Sequence, residues 1–106
     1  MADPNKRRAV LEKMIAAGQA DSFAYYALGM EYRREGRIDD AVATFTTLRE
    51  KDANYLPVYL MAGQMLLEHE RAETASEWLR AGIELARSKG DMKALGELES
   101  ALAGAS

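Results

Sequence analysis

Hydrophobic residues return at helical intervals along most of this chain. In the first segment, over about residues 5–17, the apolar side chains share one helical stripe: Val10, Leu11, Met14 and Ile15. Stripes of the same kind recur in five later segments, and no stretch alternates with the period of two that is typical of a half-buried strand. The pattern therefore predicts six helices and no sheet.

Turn and capping signals predict where these helices begin and end. Glycines at positions 18, 36 and 90 stand where three of the stripes stop, and glycine is the residue that most often follows a helix C-terminus. Short polar side chains precede three of the stripes and are expected to cap the helix N-termini: Asp21 or Ser22, Asn54 and Asp91. Pro57 falls in the first turn of the fourth helix, where proline is tolerated.

Two segments of the chain repeat each other at one constant spacing. The matched positions are Tyr25 with Tyr59, Gly29 with Gly63, Ala41 with Ala75, and Phe45 with Leu79. A glycine inside a helix lowers the stability of the helix by about 1 kcal/mol relative to alanine. Its presence at the same position of both copies therefore favours a close approach of two helices. The alternative is that an ordinary helical hairpin protein repeats small residues by chance.

These residues resemble the signature of the tetratricopeptide repeat, a unit of about 34 residues that reads W-x2-L-G-x2-Y followed by A-x3-F and a proline. The first copy reads Tyr25-x2-Leu28-Gly29-x2-Tyr32, then Ala41-x3-Phe45; the second reads Tyr59-x2-Ala62-Gly63-x2-Leu66, then Ala75-x3-Leu79. Tyrosine replaces the tryptophan in both copies. Ala53 stands in place of the proline, and Glu70 replaces the turn glycine that Gly36 represents.

The resemblance implies an all-α fold, a right-handed superhelical stack of antiparallel helix pairs with six helices. It predicts one domain over residues 1–106: an N-terminal flanking helix at 4–18, repeats at 22–54 and 55–89, and a C-terminal capping helix at 91–103. Leu11 and Met14 precede Phe45 and Leu48 by one repeat length, so the first helix is similar to the second half of a repeat, although Arg7 takes the alanine position. Gly96 follows Gly63 at one position less than a repeat length, out of register, in the closing helix.

In this family the first helix of each repeat lines a concave face that binds peptides, so the resemblance implies a non-enzymatic protein-binding module. The positions on that face are Phe23, Tyr26, Met30, Arg33, Arg34, Leu60, Gln64 and Leu67. Their apolar, aromatic and methionine side chains suit an apolar or amphipathic segment of a partner. The alternative is that Phe23 and Tyr26 pack under the flanking helices, and that the arginines merely favour the C-terminal helix dipole.

Chaperone-tail-binding members of the family carry lysines and asparagines on the concave face. Tyr26, Met30 and Gln64 occupy those positions here, so capture of a terminal carboxylate by such a clamp is not expected. The second functional hypothesis is structural self-association, as a homo-oligomer within a larger assembly, through the single tryptophan, Trp78, or the last helix. Burial of Trp78 under the last helix is the alternative.

Composition narrows the function further. The net charge of −3 disfavours a nucleic-acid partner, and the absence of cysteine excludes disulfides and thiol chemistry. His69 is the only histidine, so we expect a solvated turn there and neither a metal site nor acid–base catalysis. No cofactor, no membrane span and no signal segment are expected, which makes the cytoplasm the default location.

Overall fold

The computed structural model describes residues 5–105, and within them it contains α-helices and no strand. The helices are α1 (Lys6–Ala16), α2 (Ser22–Arg34), α3 (Ile38–Lys51), α4 (Pro57–Glu68), α5 (Ala72–Lys89) and α6 (Met92–Ala103). The prediction of six helices and an all-α fold is confirmed for this part of the chain. Residues 1–4, where the predicted flanking helix begins, and residue 106 lie outside the described residues.

The helices form two compact units, one ending at Ala53 and one beginning at Asn54. In the first unit α2 packs against both α3 and α1. In the second unit α5 packs against both α4 and α6, and α4 also contacts α6. Each unit is thus one helical hairpin plus a third helix, and the single domain over residues 1–106 stays a prediction.

Four helices end in the same type of turn. Gly18, Gly36, Glu70 and Gly90 each adopt a left-handed backbone conformation, with φ of 71°, 78°, 60° and 67°. After each helix the N–H of this residue donates to the carbonyl three residues back, and the next N–H donates to a carbonyl five residues back. This pair of bonds is the Schellman motif, which satisfies carbonyls at the helix end. The predicted helix ends at the three glycines are confirmed.

Two of the predicted N-terminal caps are confirmed and one is wrong. The Asp21 and Asp91 carboxylates accept hydrogen bonds from the N–H groups of Ala24 (2.9 Å) and Ala94 (3.0 Å). Asn54 does not cap α4, because that helix begins at Pro57 with Leu56 before it and has no side-chain cap. The proline brings no N–H to satisfy. The next two N–H groups reach the carbonyls of residues 55 and 56 at 3.3 and 3.2 Å.

A glycine lets the two helices of each hairpin approach closely. A Cβ added to Gly29 would lie 2.6 Å from Cδ1 of Phe45 and closer still to Cε1. A Cβ added to Gly63 would lie 2.6 Å from Cγ of Leu79 and closer to Cδ2. Phe45 and Leu79 are both fully buried. The two hairpins therefore pack alike at corresponding positions, as the repeat spacing predicts.

Candidate binding surface

The predicted concave-face residues of α2 lie on its exposed side. Phe23 is 65% exposed and Met30 is 40% exposed, while Tyr26 and Arg33 between them are half-buried. The opposite side of α2 is buried, through Ala24, Leu28, Gly29 and Tyr32 among others. Because these buried positions recur every three or four residues, the helix is fixed in rotation and Phe23 and Met30 point away from the core.

Tyr26 belongs partly to the core and partly to the surface. Its ring centroid lies 6.2 Å from that of Phe45, with the planes tilted by 39°. Such a tilted aromatic pair lies within the usual contact range for two rings. The alternative that both aromatic residues are packed inside is therefore wrong for Phe23, which is exposed, and partly right for Tyr26.

The arginines after the concave-face positions mostly interact within their own unit. Arg34 forms an ion pair with the Glu31 carboxylate. Arg37 donates to Asp40 over 2.8 Å, and its guanidinium lies 4.6 Å from the centroid of the Tyr32 ring. Arg33 lies on the α2 face described above and is half-buried. Arg34, predicted as a partner contact, already has a partner inside the protein.

Glu31 is a buried carboxylate that the sequence analysis did not single out. It contacts Arg34 from its own helix and Arg7 from α1, the latter over 3.4 Å. The Arg34 hydrogen bond, with the positive charges of both arginines, holds the pKa of Glu31 below its usual value despite burial. The signal was present in the sequence, because Arg7 breaks the alanine match of the repeat and Glu31 stands one repeat length before Met65.

A second polar cluster joins α1 to α2. Arg8 donates to Glu35 over 2.9 Å and to Glu12 over 3.0 Å. The Tyr32 hydroxyl donates to Glu12 over 2.6 Å. Burial, followed by the hydrogen bond to the Glu12 carboxylate, raises the pKa of Tyr32 to about 12. Polar contacts thus make a large part of the α1–α2 junction, and none of the α1 residues is buried.

The remaining concave-face positions lie on α4 in the second unit. Gln64 is exposed, and Leu60 and Leu67 are half-buried. Gln64 borders a shallow depression whose other side is formed by α6. The α6 residues there are Met92, Lys93, Gly96, Glu97, Ser100 and Ala101. This part of the surface is more polar than the α2 face.

Trp78 lies in the core of the second unit. It is 4% exposed, and its ring centroid lies 5.9 Å from that of Tyr59. The hypothesis that Trp78 is an exposed anchor for self-association is therefore wrong, because the indole already packs inside its own unit. Nearby, a Cβ on Gly82 would lie 2.7 Å from Cβ of Tyr59 and 2.9 Å from Cδ2 of Leu98, so this glycine lets α5 pack closely against both α4 and α6.

Other candidate chemistry finds little support in the described residues. His69 is exposed at the end of α4. Within residues 5–105 no three or more histidine, aspartate or glutamate side chains come together as a metal site would require. In the same range no helix combines the length and the apolar character that crossing a bilayer requires.

Comparison with known proteins decides the family. A family model described as tetratricopeptide repeat matches residues 24–48, which include the Gly29–Phe45 contact. A tetratricopeptide repeat domain protein from Salinibacter ruber, solved by NMR, is 34% identical, with a TM-score of 0.74 over 80% of this chain and 86% of that one. The chain belongs to the tetratricopeptide repeat family. The crystal structure of the tetratricopeptide repeat domain protein from Salinibacter ruber is also 34% identical, with a TM-score of 0.72 over 80% of this chain and 96% of that one.

A third solved structure supports the fold alone. Protein BPP2914 from Bordetella parapertussis is 23% identical, with a TM-score of 0.79 over 92% of this chain and 85% of that one. No curated protein gives a match. Tetratricopeptide repeats generally mediate interactions between proteins, so protein–protein interaction is the general function that family membership gives this tetratricopeptide repeat chain.

Proposed function

We propose that this chain is a non-enzymatic module that binds an apolar or amphipathic segment of a partner protein along the exposed face of α2. The observation that carries the proposal is the exposure of Phe23 and Met30 on a helix whose other side is buried. Large apolar side chains that stay in water are costly, and grouped on one face they mark a contact surface.

The α2 face also suits a partner in its geometry. Phe23, Tyr26, Met30 and Arg33 follow one another at intervals of three and four residues, so they form one stripe along the helix. Phe23 is the exposed aromatic residue, Tyr26 is held in place by Phe45, and the flexible Met30 can adapt to different apolar surfaces. A partner helix with apolar residues at similar intervals would match such a stripe.

We further propose that α4, in the second unit, offers a more polar contact surface of its own through Leu60, Gln64 and Leu67. Gln64 is exposed and offers both a donor and an acceptor, whereas the leucines are half-buried and offer only part of their surface. The α4 contribution is therefore expected to be smaller than that of α2, and it is tested by its own variant, Gln64→Lys.

The test is selection of binders from a displayed peptide library, followed by affinity measurement with single variants. Phe23→Lys and Met30→Lys place a cation on the α2 face, and both positions are exposed, so the helices should stay intact. Loss of one buried aromatic or methionine anchor commonly weakens binding by about 1–2 kcal/mol, which is roughly 5- to 30-fold in Kd. Tyr26 is a poorer target because a charge there would also disturb the Phe45 contact.

Val10→Lys is the matched control, because it places the same cation at an exposed apolar residue of α1 that belongs to neither proposed set of contacts. It should leave the affinity of the selected peptides unchanged. If Phe23→Lys and Met30→Lys bind the peptides as tightly as the unsubstituted protein does, the α2 face is not the binding surface and the proposal is rejected.

A further inference from the structure

Two large exposed apolar side chains lie outside the α2 face. Among the described residues, Val10 on α1 is 50% exposed and Met92 on α6 is 72% exposed. They belong to the two helices that stand outside the hairpins, one at each end of the described chain. Both helices resemble one half of a repeat, and the halves are different.

The last helix, α6, is similar to the first helix of a repeat. In the second hairpin the contacts between the first and the second helix include Tyr59 with Trp78 and Gly63 with Leu79. Met92 and Gly96 follow Tyr59 and Gly63 at one position less than a repeat length and keep their relative spacing. A Cβ added to Gly96 would meet nothing within 4 Å, so none of the described helices covers α6 as α5 covers α4.

The first helix, α1, is similar to the second helix of a repeat. Val10 and Leu11 precede Trp78 and Leu79 by two repeat lengths. Trp78 and Leu79 both contact the first helix in the second hairpin. On α1, Val10 is 50% exposed and Leu11 is half-buried, and none of the residues of this helix is buried although α2 packs against it. The side of α1 that bears Val10 is therefore accessible to another helix.

We propose that α6 of one molecule packs against α1 of a second copy of this chain and so completes a repeat between two molecules. In this arrangement Val10 of one copy contacts Met92 of the other, as Trp78 contacts Tyr59 within the second hairpin. Leu11 lies over Gly96, as Leu79 lies over Gly63. The two exposed apolar side chains of the end helices would bury each other.

The charges of the two helices favour this pairing. Helix α1 carries four basic side chains and one acidic one, and two of the basic ones, Arg7 and Arg8, also pair with carboxylates of their own unit. Helix α6 with its cap residue Asp91 carries three acidic side chains and one basic one, and one of the acidic ones, Glu99, also pairs with Arg87. Opposite charges attract, and two copies of the same helix would repel each other. The pairing of α1 with α6 is therefore preferred over α1 with α1 or α6 with α6, and salt should weaken it.

The contact joins two different surfaces, α1 and α6, and each molecule carries both. A head-to-tail contact of this kind builds open chains unless its rotation closes a ring. The interface is only one helix pair wide and falls at the small end of protein interfaces, so self-association is expected to be weak. Sedimentation velocity therefore has to extend to about 1 mM protein, where an interaction of about 4 kcal/mol is half-saturated.

The decisive experiment uses one variant for each surface, Val10→Lys and Met92→Lys. The unsubstituted protein should form dimers and longer chains as its concentration rises, and more so in low salt. Each variant alone should associate at least about tenfold more weakly, because a cation would enter the apolar contact. Mixing the two variants should restore one contact and give a 1:1 dimer that grows no further, since Met92→Lys keeps an intact α1 and Val10→Lys an intact α6.

Met30→Lys on the α2 face is the control for a general effect of added charge and should leave self-association as in the unsubstituted protein. Far-UV circular dichroism checks that the helices of every variant are intact. A monomer at every concentration overturns the proposal, as does association that both variants retain. So does a mixture that stays monomeric, or one that grows beyond dimers.

Discussion

In both helical hairpins the two helices meet at a glycine, but the side chain that faces the glycine differs. In both, a glycine of the first helix faces a large residue of the second, but this residue is the rigid ring of Phe45 in one hairpin and the flexible side chain of Leu79 in the other. The turn between the helices contains Gly36 in the first hairpin and Glu70 in the second. The backbone is thus repeated more faithfully than the side chains that support it.

The third helix of each unit is attached in a different way. Helix α1 is joined to α2 through ion pairs of Arg7 with Glu31 and Arg8 with Glu35, at 3.4 and 2.9 Å. Helix α6 instead buries Leu95 and Leu98. Ion pairs that remain partly in water contribute little, typically below about 1 kcal/mol, whereas a buried leucine contributes about 1.5–3 kcal/mol. We therefore expect α1 to be the less firmly attached of the two.

The largest difference in stability between the two hairpins should appear when alanine replaces Gly29 or Gly63. Gly29→Ala is expected to lower the free energy of unfolding by about 2 kcal/mol, because the new methyl group overlaps the rigid ring of Phe45, which is fully buried. Gly63→Ala should cost about 1 kcal/mol, since the branched end of Leu79 can shift within its site. Urea unfolding monitored by circular dichroism measures both.

Gly96→Ala is the matched control, because its Cβ would meet nothing within 4 Å. There only the helix propensity changes, and alanine should stabilise the chain by about 1 kcal/mol. In a Leu79→Ala background Gly63→Ala should lose its cost, since the atoms it overlaps are gone. Equal effects at all three glycines would show that propensity, and not close helix packing, decides these positions.

Much of this fold could be predicted because its signals are local or periodic. The helices follow from stripes of apolar residues, and the ends at Gly18, Gly36 and Gly90 follow from the backbone freedom of glycine. The close packing at Gly29 and Gly63 could be predicted because glycine destabilises a helix, so that its presence at the same position of both copies needs a structural reason. The predicted cap at Asn54 failed because Pro57 had already removed one N–H that a cap would serve.

The contacts of individual side chains could be predicted less well. Whether Trp78 is an anchor or a core residue depends on how Tyr59 faces it, and spacing along the chain does not decide this. Arg34 was predicted to contact a partner protein, but it forms an ion pair with Glu31, three residues earlier on the same helix. The repeat pattern marks Arg7 and Glu31 as irregular positions, but it does not show that the two side chains meet between α1 and α2.

A smaller effect should follow from removing the Glu31 charge. Glu31→Gln leaves Arg7 and Arg34 without their carboxylate and is expected to cost about 1–2 kcal/mol at neutral pH. The folded pKa of Glu31 is lowered from 4.5, so its contribution is fully present above about pH 4.5 and is lost as the pH falls through the folded value. The stability difference between the two proteins should therefore shrink as the pH is lowered below 4.5.

Urea unfolding at several pH values checks this, with Glu97→Gln as a control at an exposed glutamate of α6. The control should differ little from the unsubstituted protein across the range. A Glu31→Gln protein whose deficit is constant with pH would mean that the shape of the side chain matters there and its charge does not.

The smallest effect concerns the turns between the paired helices. Glu70 holds φ at 60°, a left-handed conformation that costs a side-chain-bearing residue about 1–2 kcal/mol. Glycine removes this cost but adds conformational freedom to the unfolded chain, so Glu70→Gly should stabilise the protein by only about 0.5–1 kcal/mol. Gly36→Ala, the reverse change at φ 78°, should destabilise it by about 1 kcal/mol.

Urea midpoints that move in opposite directions would show that the two turns are equivalent in backbone and differ only in the residue that occupies them. A loss of stability in Glu70→Gly would instead mean that the glutamate side chain stabilises its turn by more than the strain costs.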